Sequence, residues 1–261
     1  MVETVLITGA STGIGYELAM VFARNGNNLV ITARDKKRLD QIAKDISTTH
    51  GVGVKVIAKD LSKPTSPSEI YRSLKKDKIK VSILVNNAGF ATNGHFADLP
   101  LEKELSEIQV NVTSLVELTH LFLQDMKEAG RGKILNVAST AGFQPGPLMS
   151  IYYATKAFVL SFSEGLAEEV KDKGITVSVL CPGATKTEFF ERADMLGTKI
   201  GDQSSPLMMK SSDVAKIGYN GLMNGKVVNI SGFFNAFLVF TVRFSPRFAV
   251  RKISKYLNSK Q

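Results

Sequence analysis

Two side chains four residues apart, Tyr152 and Lys156, form the pair in this sequence best suited to acid–base chemistry. They lie in a stretch of helical periodicity, where residues i and i+4 share one face. A free tyrosine hydroxyl has a pKa of about 10 and exchanges protons poorly near neutral pH. A neighbouring ammonium stabilises the phenolate and lowers that pKa. The pair is therefore suited to exchange a proton with a substrate oxygen. Tyr153 points about 100° away around the helix, and we interpret it as a packing or pocket-wall residue.

A glycine-rich turn near the start of the chain has the second informative pattern, Thr8-Gly9-Ala10-Ser11-Thr12-Gly13-Ile14-Gly15. It follows a strand-like segment and opens a helix. Glycines permit a tight turn and let the backbone approach a pyrophosphate, and the N–H groups and dipole of the new helix favour an anion. A tight connection without a ligand is the alternative. In an alternating α/β chain the turn predicts dinucleotide binding by Gly9, Ser11, Thr12, Gly13, Ile14 and Gly15.

Short β-branched runs alternate with amphipathic helical stretches along the chain. The predicted strands are Thr4–Thr8, Asn28–Ala33, Val54–Ala58, Ser82–Asn86, Lys133–Ala138, Thr176–Leu180 and Lys226–Ile230. The predicted helices are Ile14–Asn25, Lys36–Thr48, Glu102–Glu128, Ile151–Lys171 and Ser212–Met223. Several strands are apolar on both faces, which is typical of a parallel sheet covered by helices on both sides. The pattern predicts an α/β fold, a single doubly wound Rossmann domain with a seven-stranded parallel sheet.

The spacing Gly9-x3-Gly13-x-Gly15 resembles the fingerprint of the short-chain dehydrogenase/reductase family. Further motifs occur in the order of that family: Asn86-Asn87-Ala88-Gly89, Asn111, Ser139, Tyr152-x3-Lys156, Pro182-Gly183 and Thr187. The resemblance extends from Val2 to about Ile230. It implies an enzyme that moves a hydride between a nicotinamide dinucleotide and a carbonyl or alcohol.

The resemblance also implies roles for single residues. Ser139 would bind the substrate oxygen, Lys156 would also hold the nicotinamide ribose, and Asn111 would anchor a water in a proton relay. Taken alone, Ser139 would be interpreted as a turn cap and Asn111 as a helix-surface residue. The remaining cofactor-binding residues would be Asp60, which could equally be a helix cap, and Asn87, Ala88, Gly89, Pro182, Gly183, Thr185 and Thr187.

Cofactor choice depends on the end of the second predicted strand. Enzymes that use NAD place a carboxylate there for the ribose 2′-hydroxyl. Ala33 occupies that position and Arg34 follows it, and an arginine fork suits a 2′-phosphate. NADP(H) is therefore favoured. The neighbouring Asp35, and Thr12 where many NADP-preferring relatives carry a basic residue, leave NAD(H) open.

The segment from about Ala184 to Lys210 would form a flap over the cleft, as the resemblance implies. Apolar residues of this flap and of other loops predict a hydrophobic pocket, although such residues also serve as ordinary core: Phe90, Phe96, Phe143, Met149, Phe189, Phe190, Met195, Leu207 and Met208. The substrate would be a hydrophobic carbonyl compound or alcohol.

The net charge of +9 is concentrated at the end of the chain. Residues 243–261 contain six basic residues and no acidic one, and they follow an apolar run, Phe233–Phe244. We expect residues 1–232 to form the catalytic and cofactor-binding domain and residues 233–261 to form an extension packed on it. A large exposed phenylalanine patch is unusual on a monomer, so packing is favoured over a membrane-surface anchor or an oligomer contact.

Composition bears on the location of the protein and on the partners that it binds. The single cysteine, Cys181, and the absence of a secretory signal favour a cytoplasmic protein, with a location peripheral to a membrane left open. We expect no metal site and no nucleic-acid partner, and we expect a homodimer or tetramer. The leading hypothesis is an NADP(H)-dependent reductase of a hydrophobic ketone, ketoacyl group or aldehyde. The alternatives are an NAD-dependent alcohol or hydroxysteroid dehydrogenase and a non-catalytic dinucleotide-binding regulator.

Overall fold

The computed structural model describes residues 2–202, 204–205 and 207–260. Within that part of the chain, seven strands form one parallel sheet in the order β3-β2-β1-β4-β5-β6-β9, and β7 and β8 form a separate parallel pair. The strands are β1 (Thr4–Thr8), β2 (Asn28–Ala33), β3 (Val54–Ala58), β4 (Ile83–Asn86), β5 (Gly132–Val137), β6 (Ile175–Cys181), β7 (Thr185–Lys186), β8 (Met209–Lys210) and β9 (Val228–Ile230). The α/β class and the seven-stranded parallel sheet are confirmed.

Helices cover both faces of the sheet because its central strands are apolar on both sides. The helices are α1 (Gly13–Arg24), α2 (Lys36–His50), α3 (Ser66–Lys76), α4 (Leu101–Ile108), α5 (Ser114–Ala129), α6 (Ser150–Val170), α7 (Phe189–Arg192), α8 (Ser211–Met223), α9 (Phe233–Val242) and α10 (Arg247–Asn258). Side chains of α1, α2 and α8 pack on one face, and those of α3, α5 and α6 pack on the other.

The predicted helix Glu102–Glu128 is wrong in one respect that matters for the site. Residues Gln109–Thr113 form a π-helical turn between α4 and α5. A π turn inserts an extra residue into the helix and rotates the side chains that follow. Asn111 lies at the centre of this turn and is buried, so it is not the helix-surface residue that its position in an unbroken α-helix would allow.

Four helices have no counterpart among the predicted elements: α3, the four-residue α7, α9 and α10. The helix α3 follows Pro64 and begins with Ser66-Pro67, where proline in the first turn suits a helix start. The helices α9 and α10 occupy the C-terminal extension and are separated by the break at Ser245-Pro246. Proline cannot continue a helix at its interior, so the apolar run and the basic tail form two short helices.

Candidate active site

One cleft of about 880 Å³ lies at the carboxyl ends of the central strands. Ligands of open α/β sheets bind at this edge, where the strand order reverses between β1 and β4. The cleft is lined by most of the residues that the sequence singles out: Gly9, Ser11, Thr12, Gly13, Ile14, Arg34, Asp60, Asn87, Ala88, Gly89, Ser139, Tyr152, Lys156, Pro182, Gly183, Thr185 and Thr187. The folded chain therefore brings these residues together around one cavity.

The backbone of the glycine-rich turn excludes a side chain at Gly9, Gly13 and Gly15, and Gly9 and Gly15 show why. A Cβ on Gly15 would lie 2.3 Å from the carbonyl oxygen of Gly9, so the first turn of α1 packs against the turn itself. Gly9 has a φ of +65°, and a Cβ there would lie 2.9 Å from Cα of Ala88. Gly15 does not line the cleft. Its role in this structure is to let α1 begin close to β1, with the helix N-terminus at the cavity.

Four hydrogen bonds join the start of this turn to the residues that follow β4. The backbone N–H groups of Asn87 and Ala88 donate to Oγ1 of Thr8 at 2.9 and 3.0 Å. The side-chain amide of Asn87 donates to the carbonyl oxygens of Thr8 and Gly9. The Asn87 side chain is thus occupied within the protein. It fixes the shape of the cofactor cleft rather than pointing freely into it.

Tyr152, Lys156 and Ser139 form a cluster in the middle of the cleft. The Lys156 Nζ donates to the carbonyl oxygen of Val137 at 2.8 Å and lies 5.6 Å from the centre of the Tyr152 ring. Burial raises the pKa of Tyr152 well above its usual range, which is opposite to the lowering expected from a neighbouring ammonium, and the nearby Ser139 hydroxyl acts against the rise. Burial lowers the pKa of Lys156 to about 8. Lys156 is therefore mostly protonated at pH 7 and loses its proton as the pH rises through about 8.

Ser139 lies at the end of β5, where it begins a short 3₁₀ turn. Its Oγ accepts a hydrogen bond from the N–H of Ala141 at 3.1 Å and donates to the carbonyl oxygen of Pro182 at 3.3 Å. These contacts agree with its interpretation as a turn cap. Because Ser139 also lines the cleft, the same hydroxyl can face a ligand.

Asn111 lies behind the cavity wall and is held on two sides. Its Nδ2 donates to the carbonyl oxygen of Phe90 and to Oγ1 of Thr155, and its Oδ1 accepts from the N–H of Phe90. The Thr155 hydroxyl in turn donates to the carbonyl oxygen of Tyr152 at 2.7 Å. Asn111 therefore braces the loop after β4 against the helix that carries Tyr152 and Lys156. Thr155 was not among the predicted site residues.

A pair of buried carboxyl groups lies next to this cluster. Glu104 and Glu107 are both buried on α4, and the Thr92 hydroxyl donates to a carboxylate oxygen of each. The second carboxyl oxygen of Glu107 is buried with no hydrogen-bond partner among the described residues. Burial raises the pKa of Glu107 to about 7, and the negative charge of Glu104 adds to that rise. The Lys156 cation opposes the rise.

Sequence reasoning missed these two glutamates for a simple reason. Acidic residues spaced three apart on an amphipathic helix normally lie on its solvated face. The only available signal was their position just before the turn that carries Asn111.

The opposite end of the cleft carries the residues predicted to select the cofactor. Arg34 is exposed at the edge of the cleft, directly after Ala33 at the end of β2. The Asp35 carboxylate is the N-cap of α2 and accepts a hydrogen bond from the N–H of Arg38 at 3.0 Å. Although burial opposes the change, hydrogen bonds from Ser62 and the charge of Arg34 lower the pKa of Asp60. Arg34 is thus the side chain at this edge best suited to a phosphate.

The substrate side of the cleft is apolar, but only part of the predicted set lines it. Phe90, Met149, Phe189, Phe190 and Met195 do so. The prediction is wrong for the other four. Phe96 and Leu207 are exposed, Met208 is buried in an apolar cluster with other flap residues, and Phe143 packs against a separate core cluster. Sequence alone does not separate apolar residues that face a cavity from those that pack behind it.

Tyr153 and the C-terminal helix support this side of the cleft. Tyr153 lines the cavity, and its hydroxyl donates to Oδ1 of Asn258 at 3.3 Å. The Asn258 amide also donates to the carbonyl oxygen of Pro147. The flap is held from the same direction, since the N–H of Ile200 donates to the carbonyl oxygen of Leu257 and Lys260 pairs with Asp194. Two flap residues, 203 and 206, lie outside the described residues.

The cleft fits a nicotinamide dinucleotide. A helix N-terminus and glycine turn suit the pyrophosphate, Arg34 suits a 2′-phosphate, and the Tyr152–Lys156 pair suits proton transfer beside the nicotinamide.

Comparisons with known proteins agree with this arrangement. The family model for short chain dehydrogenase matches residues 3–195. A 17-beta-hydroxysteroid dehydrogenase type 3 from Rattus norvegicus is 33% identical over 99% of this chain and 85% of its own length. A very-long-chain 3-oxoacyl-CoA reductase from Anas platyrhynchos is 33% identical over 84% of this chain and 70% of its own length. A short-chain dehydrogenase from Sphingobium yanoikuyae, solved in complex with NADPH, is 37% identical over 93% of both chains, with a TM-score of 0.84.

Proposed function

The chain belongs to the short-chain dehydrogenase/reductase family and is an oxidoreductase, and we propose that it transfers a hydride between NADP(H) and a hydrophobic ketone, ketoacyl group or aldehyde, or the corresponding alcohol. The observation that carries this proposal is the position of Tyr152, Lys156 and Ser139 in one cleft with the glycine turn. A non-catalytic binding protein would have no need for a tyrosine and a buried lysine held at this spacing.

The proton-transfer steps follow from the side chains of the chain itself. When bound, the reduced nicotinamide supplies the hydride that adds to the carbonyl carbon. Tyr152, whose hydroxyl remains protonated, gives its proton to the carbonyl oxygen. The Lys156 cation stabilises the phenolate that results. The Ser139 hydroxyl, which in this structure donates to the carbonyl oxygen of Pro182, would rotate to donate to the same substrate oxygen and orient it. In alcohol oxidation the proton returns to Tyr152.

The preference for NADP(H) is supported by the edge of the cleft at the end of β2. The carboxylate nearest to that edge belongs to Asp35, and it already caps α2 through the N–H of Arg38. Arg34 extends from the same turn without an ion pair to a carboxylate among the described residues, apart from the long-range attraction to Asp60. An arginine gains most from a dianionic 2′-phosphate. The NADPH complex of the similar Sphingobium yanoikuyae enzyme supports the same choice.

The substrate class is supported by the apolar wall of the cleft. Phe189 contacts the Tyr152 ring, with 5.3 Å between ring centres, and Phe190 packs beside it. A bulky apolar group next to the carbonyl would therefore bury its surface against aromatic rings of the flap. The names of the relatives, a hydroxysteroid dehydrogenase and a long-chain oxoacyl reductase, are compatible with such substrates.

We further propose that residues 1–232 form the catalytic domain and that residues 233–261 pack on it through the contacts of Asn258. The single cysteine supports a cytoplasmic location. A homodimer or tetramer is also proposed, and light scattering of the purified protein measures it directly.

The catalytic assignment is tested by two single substitutions at adjacent tyrosines. Tyr152→Phe removes the transferable proton with little change in volume, and we expect turnover with NADPH and a bulky ketone to fall by at least ~10²-fold. Tyr153→Phe is the matched control, because it removes a hydroxyl that bonds to Asn258. NADPH binding, followed by fluorescence, should be retained by both. Equal turnover in Tyr152→Phe and the unsubstituted enzyme would refute the assignment.

Cofactor preference is tested at Arg34. Arg34→Ala removes charge-assisted hydrogen bonds to a 2′-phosphate and should weaken NADPH binding by about 1.5–3 kcal/mol with little effect on NADH. Lys37→Ala, on the exposed first turn of α2, is the matched control for loss of a positive charge. An unsubstituted enzyme that uses NADH better than NADPH would contradict the proposal.

A further inference from the structure

The helix α9 presents one stripe of phenylalanine rings to solvent. Phe233, Phe237 and Phe240 are spaced i, i+4 and i+7, which places them within an arc of about 60° on a helical projection, and Phe244, two residues beyond the end of the helix, has its ring centre 5.1 Å from that of Phe240. Their exposed fractions are 89%, 53%, 58% and 75%. The opposite side of α9 packs on the protein through Val239, the one residue of this helix that is buried. The expectation that packing would cover the phenylalanines of this run is therefore wrong for these four, which form an apolar ridge on the surface.

The helix α10 follows α9 after the break at Ser245-Pro246 and exposes both apolar and basic side chains. Phe248, Ile253 and Tyr256 are exposed on its outer face, and Arg251, Lys252 and Lys255 lie between them. With Arg243 and Arg247 at the junction of the two helices, five cations belong to this surface. None of the five has a carboxylate within 4.0 Å among residues 2–202, 204–205 and 207–260. The sequence from 233 to 261 contains no acidic residue.

We propose that this outer face of α9 and α10, called here the Phe–Arg face, docks on an anionic lipid bilayer. An apolar ridge flanked by cations matches the boundary between acyl chains and negatively charged headgroups. No helix among the described residues has both the length and the apolarity to cross a bilayer, so the proposal concerns attachment to one surface. The chain would lie on the membrane with α9 parallel to it.

Charge favours a bilayer over a second copy of the chain. In a twofold dimer the same patch meets itself, so the five cations of one Phe–Arg face would approach the five of the other with no carboxylate of this segment between them. Like charges brought together in an interface oppose association. An anionic bilayer supplies the missing negative charge and covers the phenylalanine ridge at the same time.

The inner faces of the two helices hold the Phe–Arg face in a fixed position on the enzyme. A Cβ on Gly183, in the wall of the cleft, would lie 2.4 Å from the amide of Asn235 in α9. The end of α10 bonds to Tyr153 and to the flap through Asn258 and Leu257. The docking surface is thus separated from the cleft by a single helix. A hydrophobic substrate dissolved in the bilayer would need to travel only a short way to reach the flap.

The test is sedimentation of the full chain with vesicles of two compositions. Phosphatidylcholine vesicles carry no net charge, and vesicles with one third phosphatidylserine are anionic. We expect the protein to pellet with the anionic vesicles at low salt, to bind the neutral ones at least tenfold less, and to be released as salt screens the attraction. Equal binding to both compositions, or none to the anionic vesicles, would overturn the proposal.

The apolar part of the surface is tested by Phe233→Ser, Phe237→Ser and Phe244→Ser combined. These side chains are exposed, so the variant should fold, and unchanged ketone reductase activity and melting temperature verify that it does. We expect at least a tenfold loss of vesicle binding. Leu101→Ser with Leu105→Ser, two exposed apolar residues on α4, is the control and should bind as the unsubstituted protein does. Undiminished binding by the phenylalanine variant would overturn the proposal.

The basic part is tested by neutralising three cations of α10 and comparing an equal loss of charge elsewhere. A basic residue near an anionic surface contributes about 1 kcal/mol, or about fivefold in binding, so Arg247→Gln, Arg251→Gln and Lys252→Gln together should lower binding by ~10²-fold. The control variant, which should bind almost normally, neutralises three exposed lysines remote from this face: Lys37, Lys44 and Lys80. An equal loss in both variants would indicate net charge alone and contradict a defined surface.

Light scattering without lipid separates the bilayer from a second copy. The phenylalanine variant should have the same mass as the unsubstituted protein. A dimer that becomes a monomer in this variant would show that another copy covers the Phe–Arg face, and the proposal would then be wrong.

Discussion

The buried carboxyl of Glu107 allows the charge balance behind the active site to be tested without touching a residue that lines the cleft. Glu107→Gln keeps the shape of the side chain and removes its ability to ionise. In the unsubstituted protein, burial and the adjacent Glu104 raise the pKa of Glu107 to about 7. The amide of glutamine can still contact the Thr92 hydroxyl. The substitution therefore isolates the cost of holding a negative charge at this position.

The direction of the effect follows from proton linkage. A carboxyl whose pKa is higher in the folded than in the unfolded state binds more protons when folded, so stability falls as pH rises from about 4.5 to about 7. The difference between these pKa values corresponds to about 3 kcal/mol, at 1.36 kcal/mol for each pKa unit. The attraction of Lys156 is already contained in the pKa of about 7, and part of the gain is offset because the buried glutamine amide must itself leave water. We expect Glu107→Gln to be more stable by about 2 kcal/mol at pH 8.

Thermal melting at pH 5 and at pH 8 measures this effect. A gain of about 2 kcal/mol should raise the melting temperature by about 4–6 °C at pH 8 in a chain of this size. At pH 5 the unsubstituted side chain is already protonated when folded, so the two proteins should melt at nearly the same temperature. Glu168→Gln, at an exposed position of α6, is the control and should show no such pH dependence.

A kinetic measurement on the same variant tests the link to Lys156. The negative charge of Glu107 holds the pKa of Lys156 up against burial. Its removal should lower that pKa below about 8 and move the alkaline limb of the kcat/KM profile for ketone reduction to lower pH. Two results together would refute the reasoning. The first is a melting temperature of the variant that does not exceed that of the unsubstituted protein at pH 8, and the second is an unchanged pH profile of kcat/KM.

Further predictions concern the cleft and its support. In the unsubstituted enzyme, ketone reduction should decline as pH rises through about 8, because Lys156 loses its proton there while Tyr152 stays protonated; a pH–rate profile that is flat to pH 10 would contradict this. Gly15→Ala places a methyl group 2.3 Å from the carbonyl oxygen of Gly9 and should weaken NADPH binding at least tenfold by displacing α1, as measured by fluorescence titration. Asn258→Ala removes the hydrogen-bond acceptor of the Tyr153 hydroxyl and should lower the free energy of unfolding by about 1–2 kcal/mol. It should also raise KM for bulky ketones. An unchanged KM would mean that α10 does not support the flap.

The sheet could be predicted from sequence because its strands carry a strong local signal. The bounds of β1, β2 and β3 agree with the predicted ones residue for residue, since β-branched runs between turn residues leave few alternatives. The π turn at Gln109–Thr113 has no comparable signal. It is stabilised by contacts of Asn111 with Phe90 and Thr155, which are distant in sequence, and a helical periodicity cannot report them.

The side chains around the cleft divide in the same way. The role of Gly9 can be predicted from its residue type, and the role of the Tyr152–Lys156 pair can be predicted from the residue types and their spacing. Residues such as Glu104, Glu107 and Phe143 take their role from what the tertiary structure packs against them. Glutamate on an amphipathic helix is normally solvated and phenylalanine is normally buried, so residue type alone predicts neither the burial of the two glutamates nor whether Phe143 faces the cleft or the core. Whether such a residue contributes to the site depends on the direction of its side chain, and that direction is determined only in the folded protein.

The bridge between Thr198 and Lys260, with the hydrogen bond from Ile200 to Leu257, has a consequence for biosynthesis. A chain leaves the ribosome from its N-terminus, so the whole sheet through Val228–Ile230 and the glycine turn can assemble while the residues that hold the flap are still inside the exit tunnel. The nascent chain would then form its nucleotide-binding cleft before the flap that lines the substrate pocket is held in place. A ribosome-bound chain from which the sheet has emerged, while residues 257–260 are still in the tunnel, should bind NADPH and discriminate poorly between ketones.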